Sequence, residues 1–210
     1  MQLADRAFAA LAAQLGEPTG TAGRIVGRIL NRGNRAVVAA AVDAIRGAGP
    51  VVADIGFGGG VGLELLLADS GLVHGVEVSA TMLAAAHKRY ARDVANGRLH
   101  LHNARMENLP FDDASINGIV STNTIYFVDD VSAVFEEFRR VLAPAGRLAL
   151  GVGDPAAMAR MPFTRHGFRL RPIDEITEAL RAAGFSEIDD RRAGGGPQQF
   201  HVLVGAHHRP

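Results

Sequence analysis

Residues 51–62 read Val-Val-Ala-Asp-Ile-Gly-Phe-Gly-Gly-Gly-Val-Gly, and a second apolar run, Leu72-Val73-His74-Gly75-Val76-Glu77-Val78, follows and ends at a lone carboxylate. Val51 to Ile55 is short, apolar and bounded by Gly49-Pro50 and by glycines, the pattern of a parallel strand buried on both faces. Val61 to Ala68 reads as the helix behind it. Gly56, Gly58 and Gly60 allow a sharp turn and close approach of a ligand to the backbone. The helix start offers unpaired N–H groups and a partial positive charge to an anionic group. Glu77 lies about 20 residues beyond the loop, where a carboxylate at a strand end accepts hydrogen bonds from two ribose hydroxyls. Together these features predict a nucleotide-binding half-site.

The spacing of the glycines narrows the ligand. A dinucleotide loop needs Gly-x-Gly-x-x-Gly, and its third glycine falls on Val61, Leu63 or Leu65 in the three available registers. No register fits, which argues against a nicotinamide-dependent oxidoreductase. Asp54-x-Gly56-x-Gly58-x-Gly60 instead resembles motif I of the class I S-adenosylmethionine-dependent methyltransferases, and Glu77 resembles their acidic second motif. Further along, Leu109-Pro110-Phe111-Asp112-Asp113-Ala114-Ser115, the strand-like Gly118 to Ser121, the helical Val134 to Leu142 and Ala143-Pro144-Ala145-Gly146-Arg147 are similar to the small-molecule branch related to ubiquinone and menaquinone biosynthesis. The resemblance covers roughly residues 50–152.

That resemblance implies S-adenosyl-L-methionine as cofactor, held by Asp54, Gly56, Phe57, Gly58, Gly60, Glu77, Val78, Arg105, Met106 and Asn123. Two positions depart from the family pattern. Relatives carry an Asp that accepts from the adenine amino group where this chain has Arg105, and arginine has donors only. Asn103, Glu107 or a backbone carbonyl must replace it, or the adenine rests on shape and the backbone N–H of Met106. Asn117 stands where relatives often have Asp before the fourth strand, a position of structural weight. Glu136, Glu137, Arg139 and Arg140 read as a solvated helix face.

Composition sets the outer limits. The chain has 210 residues and 48% apolar content, enough for one sizeable core. Lys+Arg and Asp+Glu are both 22, so no charge bias recommends nucleic acid or an anionic membrane. Arg24 to Arg35 carries four arginines, which a solvated helix surface explains. Cysteine is absent, which removes disulfides, thiolate catalysis and Cys-based zinc sites, and no metal is expected. No run of about 18 apolar residues exists, and Asp5 and Arg6 interrupt the N-terminus, so the expected compartment is the cytoplasm.

The expected fold is α/β: a doubly wound, Rossmann-like seven-stranded sheet with helices on both faces, in one domain spanning 1–210. Residues 1–48 form a helical cover, 49–152 the cofactor-binding core, and 153–210 a substrate-side segment with the last strands. Helices are expected over Ala4–Gln14, Arg24–Leu30, Ala36–Ile45 and Pro172–Gly184, with a turn at Asn31-Arg32-Gly33-Asn34. Strands are expected near 51–55, 72–78, 98–102, 117–122, 147–152, 186–191 and 198–205. The resemblance implies the order 3-2-1-4-5-7-6 with the last-added strand antiparallel. Ligands then sit outside the carboxyl ends of the strands.

The implied activity is in-line methyl transfer to a small-molecule acceptor through an O-, N- or C-nucleophile. Alignment supplies most of the rate, and a general base adds roughly 10²- to 10⁴-fold. His166, in the Gly- and Pro-punctuated segment 161–168, is the first candidate base, followed by Tyr126 and Asp154 after the fourth and fifth strands. Arg105 also keeps open a non-catalytic S-adenosylmethionine-binding protein. Asn123-Thr124-Ile125-Tyr126 lacks the Asn-Pro-Pro-aromatic signature of base methylation. A small-molecule acceptor, with neither nucleic acid nor membrane, is the expected partner, and a homodimer is compatible with the sequence.

Overall fold

The structure, a computed structural model, describes residues 2–195 and 198–206, with side chains described for all of these except 2–3, 21–32, 195 and 198. Two helices come first, α1 (Gln2–Gly16) and α2 (Gly20–Ala44). The repeat then runs β1 (Val51–Ile55), α3 (Val61–Asp69), β2 (Leu72–Glu77), α4 (Ala80–Arg89), α5 (Ala91–Ala95), β3 (Leu99–Asn103) and β4 (Ile116–Thr122). It continues with α6 (Val131–Val141), β5 (Leu142–Gly153), α7 (Pro155–Met158), α8 (Ile173–Ala182), β6 (Ser186–Gly195) and β7 (Gln198–Ala206). The seven strands form one sheet in the order β3-β2-β1-β4-β5-β7-β6. β1 to β5 are parallel, and β7 runs antiparallel to both β5 and β6.

The central strands are apolar on both faces because both faces are covered. Val52 and Val120 face the layer that contains α2, α3 and α4, whereas Ala53, Ile55 and Ile119 face α6 and α8. α6 is amphipathic, with Val131, Val134, Phe135, Phe138 and Val141 buried in one stripe. Asp130 caps it, its Oδ1 accepting from the N–H groups of Ser132 and Ala133.

Two expectations are corrected. The sequence predicts a break at Asn31 to Asn34, yet α2 runs unbroken through Gly33 and Asn34. A glycine inside a helix costs only about 1 kcal/mol. Val37, Val38, Ala41, Val42 and Ile45, all buried on the sheet, outweigh that cost. The side chains of Arg24, Arg28 and Arg32, read from sequence as solvated, lie outside the described residues.

The second correction concerns Glu137 and Arg140, which are not a free solvated face. Glu137 Oε1 accepts from the Leu109 N–H at 2.6 Å. Arg140 donates to the Phe111 and Leu109 carbonyls, to Asp113 and to both oxygens of Glu137. This pair fastens the Leu109 to Asp113 loop to α6, and Arg140 holds the Glu137 carboxyl below the usual carboxylate range. Asn117 is also structural, its Oδ1 accepting from the Val51 N–H at 3.0 Å and tying β4 to the start of β1.

A fork-shaped guanidinium is needed to reach two carbonyls and two carboxylates at once. Arg140→Ala is therefore expected to lower stability by about 1–3 kcal/mol, and Arg140→Lys to recover less than half of it, as read from urea unfolding midpoints.

Candidate active site

The glycine turn between β1 and α3 is held from three sides. Gly56 N–H donates to the Val76 carbonyl at 2.8 Å. The Tyr90 hydroxyl, from the end of α4, donates to the Gly60 carbonyl at 2.8 Å. Ser121 on β4 donates to the Ile55 carbonyl and sits 2.7 Å from the Thr124 hydroxyl. Thr124 lies so close to the turn that a Cβ on Gly56 would fall 2.4 Å from its Cγ2. Tyr90 and Ser121 were given no such role from the sequence, and Thr124 was read only as part of the segment after the fourth strand, because the bracing of the turn exists only once three elements meet.

Two carboxylates mark the carboxyl ends of β1 and β2. Glu77 is buried, with Oε2 accepting from the Gly58 N–H and Oε1 from the Ser79 N–H, both at 2.9 Å. Burial pushes its carboxyl up, opposed by those N–H groups. Asp54 lies under the first turn of α3, and a Cβ on Gly62 would come within 2.1 Å of its Oδ2. That position must be glycine for the helix to seat over the acid. Desolvation first, and the neighbouring Glu77 second, push Asp54 up to about 7, although the Leu63 N–H favours the ionised form.

A cavity of about 570 Å³ opens between these carboxylates and α1. Among the residues named from the sequence, it is lined by Asp54, Gly56, Phe57, Gly58, Glu77, Val78, Arg105, Met106, Asn123 and His166. Gly60 instead caps α3 in a left-handed conformation. Arg105 is three-quarters exposed, with its Nε 3.6 Å from Glu107 Oε2. Asn103, offered as an adenine partner, donates its amide to the Glu77 and Val78 carbonyls and so secures the end of β2. Glu107 does line the cavity.

The three candidate bases separate. His166 faces the cavity, and its Nε2 lies 3.2 Å from Asp5 Oδ1 on α1. Tyr126 and Asp154 are not brought to the cavity. The Tyr126 hydroxyl accepts from the Gly153 N–H at 2.5 Å and donates to Asn123 Oδ1, and burial pushes its phenol up. Asp154 caps α7 through the Ala157 N–H and faces His201, whose Nδ1 meets Asp190 at 2.8 Å. Sequence position put both residues at strand ends but could not tell which way the side chains turn.

The residues fit an adenosyl cofactor. A Cβ at Gly58 meets nothing within 4 Å, so the loop backbone is open to a ligand there. Glu77, though it already accepts two N–H groups, has lone pairs left for hydroxyl donors. Val78 is the one large apolar side chain exposed among the described residues, and it lies on the cavity rim where a flat base can rest. Cavities of this size hold ligands of about drug or cofactor dimensions. No metal-binding group of three or more His, Asp or Glu side chains occurs among the described residues, and no described helix is long and apolar enough to cross a membrane.

Comparison with known proteins agrees with this geometry. Residues 53–150 match a family described as a methyltransferase domain. The chain is 28% identical over 153 residues to the O-methyltransferase resE of Aspergillus sclerotiorum, covering 68% of this chain and 57% of that protein. It is 30% identical over 149 residues to an arsenite methyltransferase of Halobacterium salinarum, covering 69% and 36%. In three dimensions it resembles a chain from the complex of the Haloferax volcanii Trm112 methyltransferase activator with a methyltransferase, at a TM-score of 0.76 and 20% identity over 96% of this chain and 98% of that one. The fold is that of the class I S-adenosylmethionine-dependent methyltransferases. Within the chain, it is residues 53–150, just under half of its length, that are similar to the methyltransferase-domain family. The chain spans about half the length of the curated relatives it matches.

Asp54 gives the site a measurable signature. Its unfolded carboxyl loses a proton near 3.8, whereas the folded one keeps it up to about 7. Between those values the folded state binds more protons, so stability falls as pH rises through the window. Asp54→Asn is expected to remove that slope, which is at most about 1.4 kcal/mol per pH unit, in urea titrations at pH 5 and 7.5.

Proposed function

We propose that the protein transfers a methyl group from S-adenosylmethionine to a small-molecule acceptor. The observation that carries this reading is the pairing of Glu77 with an open glycine turn on the wall of one cavity. The bound cofactor would supply a sulfonium methyl group already activated for displacement. Glu77 would accept the ribose hydroxyls, Gly58 would let the backbone approach, and Val78 and Met106 would flank the adenine. Arg105 would take no part in reading the adenine amino group. Several relatives are named for methylation of small molecules, including the 27-O-demethylrifamycin SV methyltransferase of Amycolatopsis mediterranei. The phosphoethanolamine N-methyltransferase 2 of Haemonchus contortus has been solved with S-adenosylhomocysteine and shares the fold at a TM-score of 0.64.

His166 would serve as the general base. It faces the cavity, and Asp5 orients its imidazole. The Met158 and Met161 carbonyls accept from the buried Thr164 hydroxyl, which fixes the turn that presents His166.

Isothermal calorimetry with S-adenosylmethionine tests the cofactor site. Glu77→Ala should weaken binding roughly 10- to 100-fold, the equivalent of a hydrogen bond to a charged group, and Gly58→Val should abolish it. Unchanged affinity in a folded Glu77→Ala protein would remove the ribose assignment.

His166→Ala should lower kcat by roughly 10²- to 10⁴-fold while leaving cofactor affinity nearly unchanged. The readout is turnover of a methyl acceptor identified by mass spectrometry. A loss below about tenfold would demote His166 to a residue of the wall.

A further inference from the structure

The connection from β3 to β4, residues 104–115, contains no helix. Three imidazoles and one aromatic ring pack together at that edge of the sheet instead. His74 on β2 pairs in register with His100 on β3, and their rings meet edge to face with centroids 5.4 Å apart. His74 Nδ1 lies 3.0 Å from His102 Nε2. Phe111, from the connection, sets its ring against both, with centroids 5.0 Å from His74 and 5.2 Å from His102.

A nitrogen pair at 3.0 Å needs one hydrogen and one lone pair, so the two rings cannot both be imidazolium. Even a single charge is poorly placed there. Among the described residues, no hydrogen bond or ion pair joins an acid to His74 or His102. Desolvation first, then His102 and His100, push His74 down to about 4. Desolvation and His100 hold His102 below the ordinary imidazole value as well. The other charged groups nearby are turned elsewhere. On the connection, Asp112 and Asp113 are exposed, and Asp113 is bound by Arg140. On α6, Glu137 and Arg140 hold the backbone at Leu109 and Phe111. On β1 the residue paired with His74 is Ala53.

Residues 103–108 therefore run between two anchors, the His102 ring and the Leu109–Phe111 backbone fixed on α6. That span touches the candidate site. Asn103 donates to the Glu77 and Val78 carbonyls, and Ala104, Arg105, Met106 and Glu107 line the cavity.

We propose that His74 and His102 form a proton-sensitive latch: neutral, they seat Phe111 and hold residues 103–108 in place, and protonated, they part from Phe111 and loosen the cavity wall beside Glu77. The effect on ligand affinity rests on the cofactor reading above. With the latch open, both imidazoles face water and take protons near the ordinary value of 6.5, which the seated rings resist. Opening thus takes up protons, and the seated form, fully favoured above about 6.5, is lost as pH falls toward about 4.

The test compares the full chain with the double variant His74→Gln/His102→Gln, whose amides still hydrogen-bond but do not titrate. Amide hydrogen exchange, corrected for intrinsic rates, is read over residues 103–108 at pH 7.5 and 5.0, and S-adenosylhomocysteine is titrated at the same two values. In the native chain the opening constant should rise about tenfold at pH 5.0 and affinity should fall with it. In the double variant opening should stay level and the loss of affinity should shrink. Asp54 and Glu77 are present in both proteins, so their own titration cancels in the comparison. Phe111→Ala is a second variant should the first fold poorly, with opening already raised at pH 7.5 and little further change at pH 5.0. Level protection in the native chain, or the same pH dependence in the variants, would overturn the latch. Opening that responds to the histidines while affinity changes equally in both proteins would overturn its link to the cavity. Absence of S-adenosylhomocysteine binding at pH 7.5 would overturn the cofactor reading and leave the latch decided by exchange.

Discussion

Two buried carboxylates at the ends of adjacent parallel strands, each stabilised by backbone N–H groups from the turn it faces, hold this site together. Glu77 binds the glycine loop at Gly58 and the entry to α4 at Ser79 through its two oxygens. Asp54 accepts one backbone N–H, that of Leu63 in the first turn of α3. A buried carboxylate without such donors would be costly, so each acid fixes its turn as firmly as the turn stabilises the acid. The α1–α2 connection depends on the same corner. The Ser79 hydroxyl donates to the Pro18 carbonyl, and the Gly20 N–H donates to Thr81 Oγ1. The roof over the cavity is thus fastened to the residues that immediately follow Glu77.

Much of this was legible in the sequence because the signals are local. The apolar run before Gly56, the glycine spacing and the acid at Glu77 each report a backbone constraint that one segment imposes on itself. Strand positions followed from the alternation of apolar runs and turns, and the order of the strands followed from the family resemblance and stands in the sheet. The alternation of elements gave β5 its centre but not its start, since Leu142 pairs with Ile116 before a left-handed turn at Ala145.

What the sequence hid depends on residues far apart along the chain. Arg140 and Glu137 look like an ordinary exposed pair three residues apart until the Leu109 to Asp113 loop folds back on them. Tyr126 carries a hydroxyl in a promising place, but its ring turns inward and the hydroxyl serves the Gly153 backbone. Asp5 gave no sign of reaching residue 166. For α2, local propensity at Asn31 to Asn34 was overruled by an apolar stripe whose value appears only when the sheet is beneath it.

The outer strand β6 has a consequence for how the molecule meets copies of itself. Asp189, Asp190, Arg191 and Arg192 place charge along its length, and its pairing with β7 slips between Ser186 and Asp189, beside the left-handed Glu187. A charged, irregular edge is a poor template for a further strand. The sheet therefore stops growing on that side, and the protein is guarded there against the open-ended stacking that turns parallel-sheet domains into aggregates.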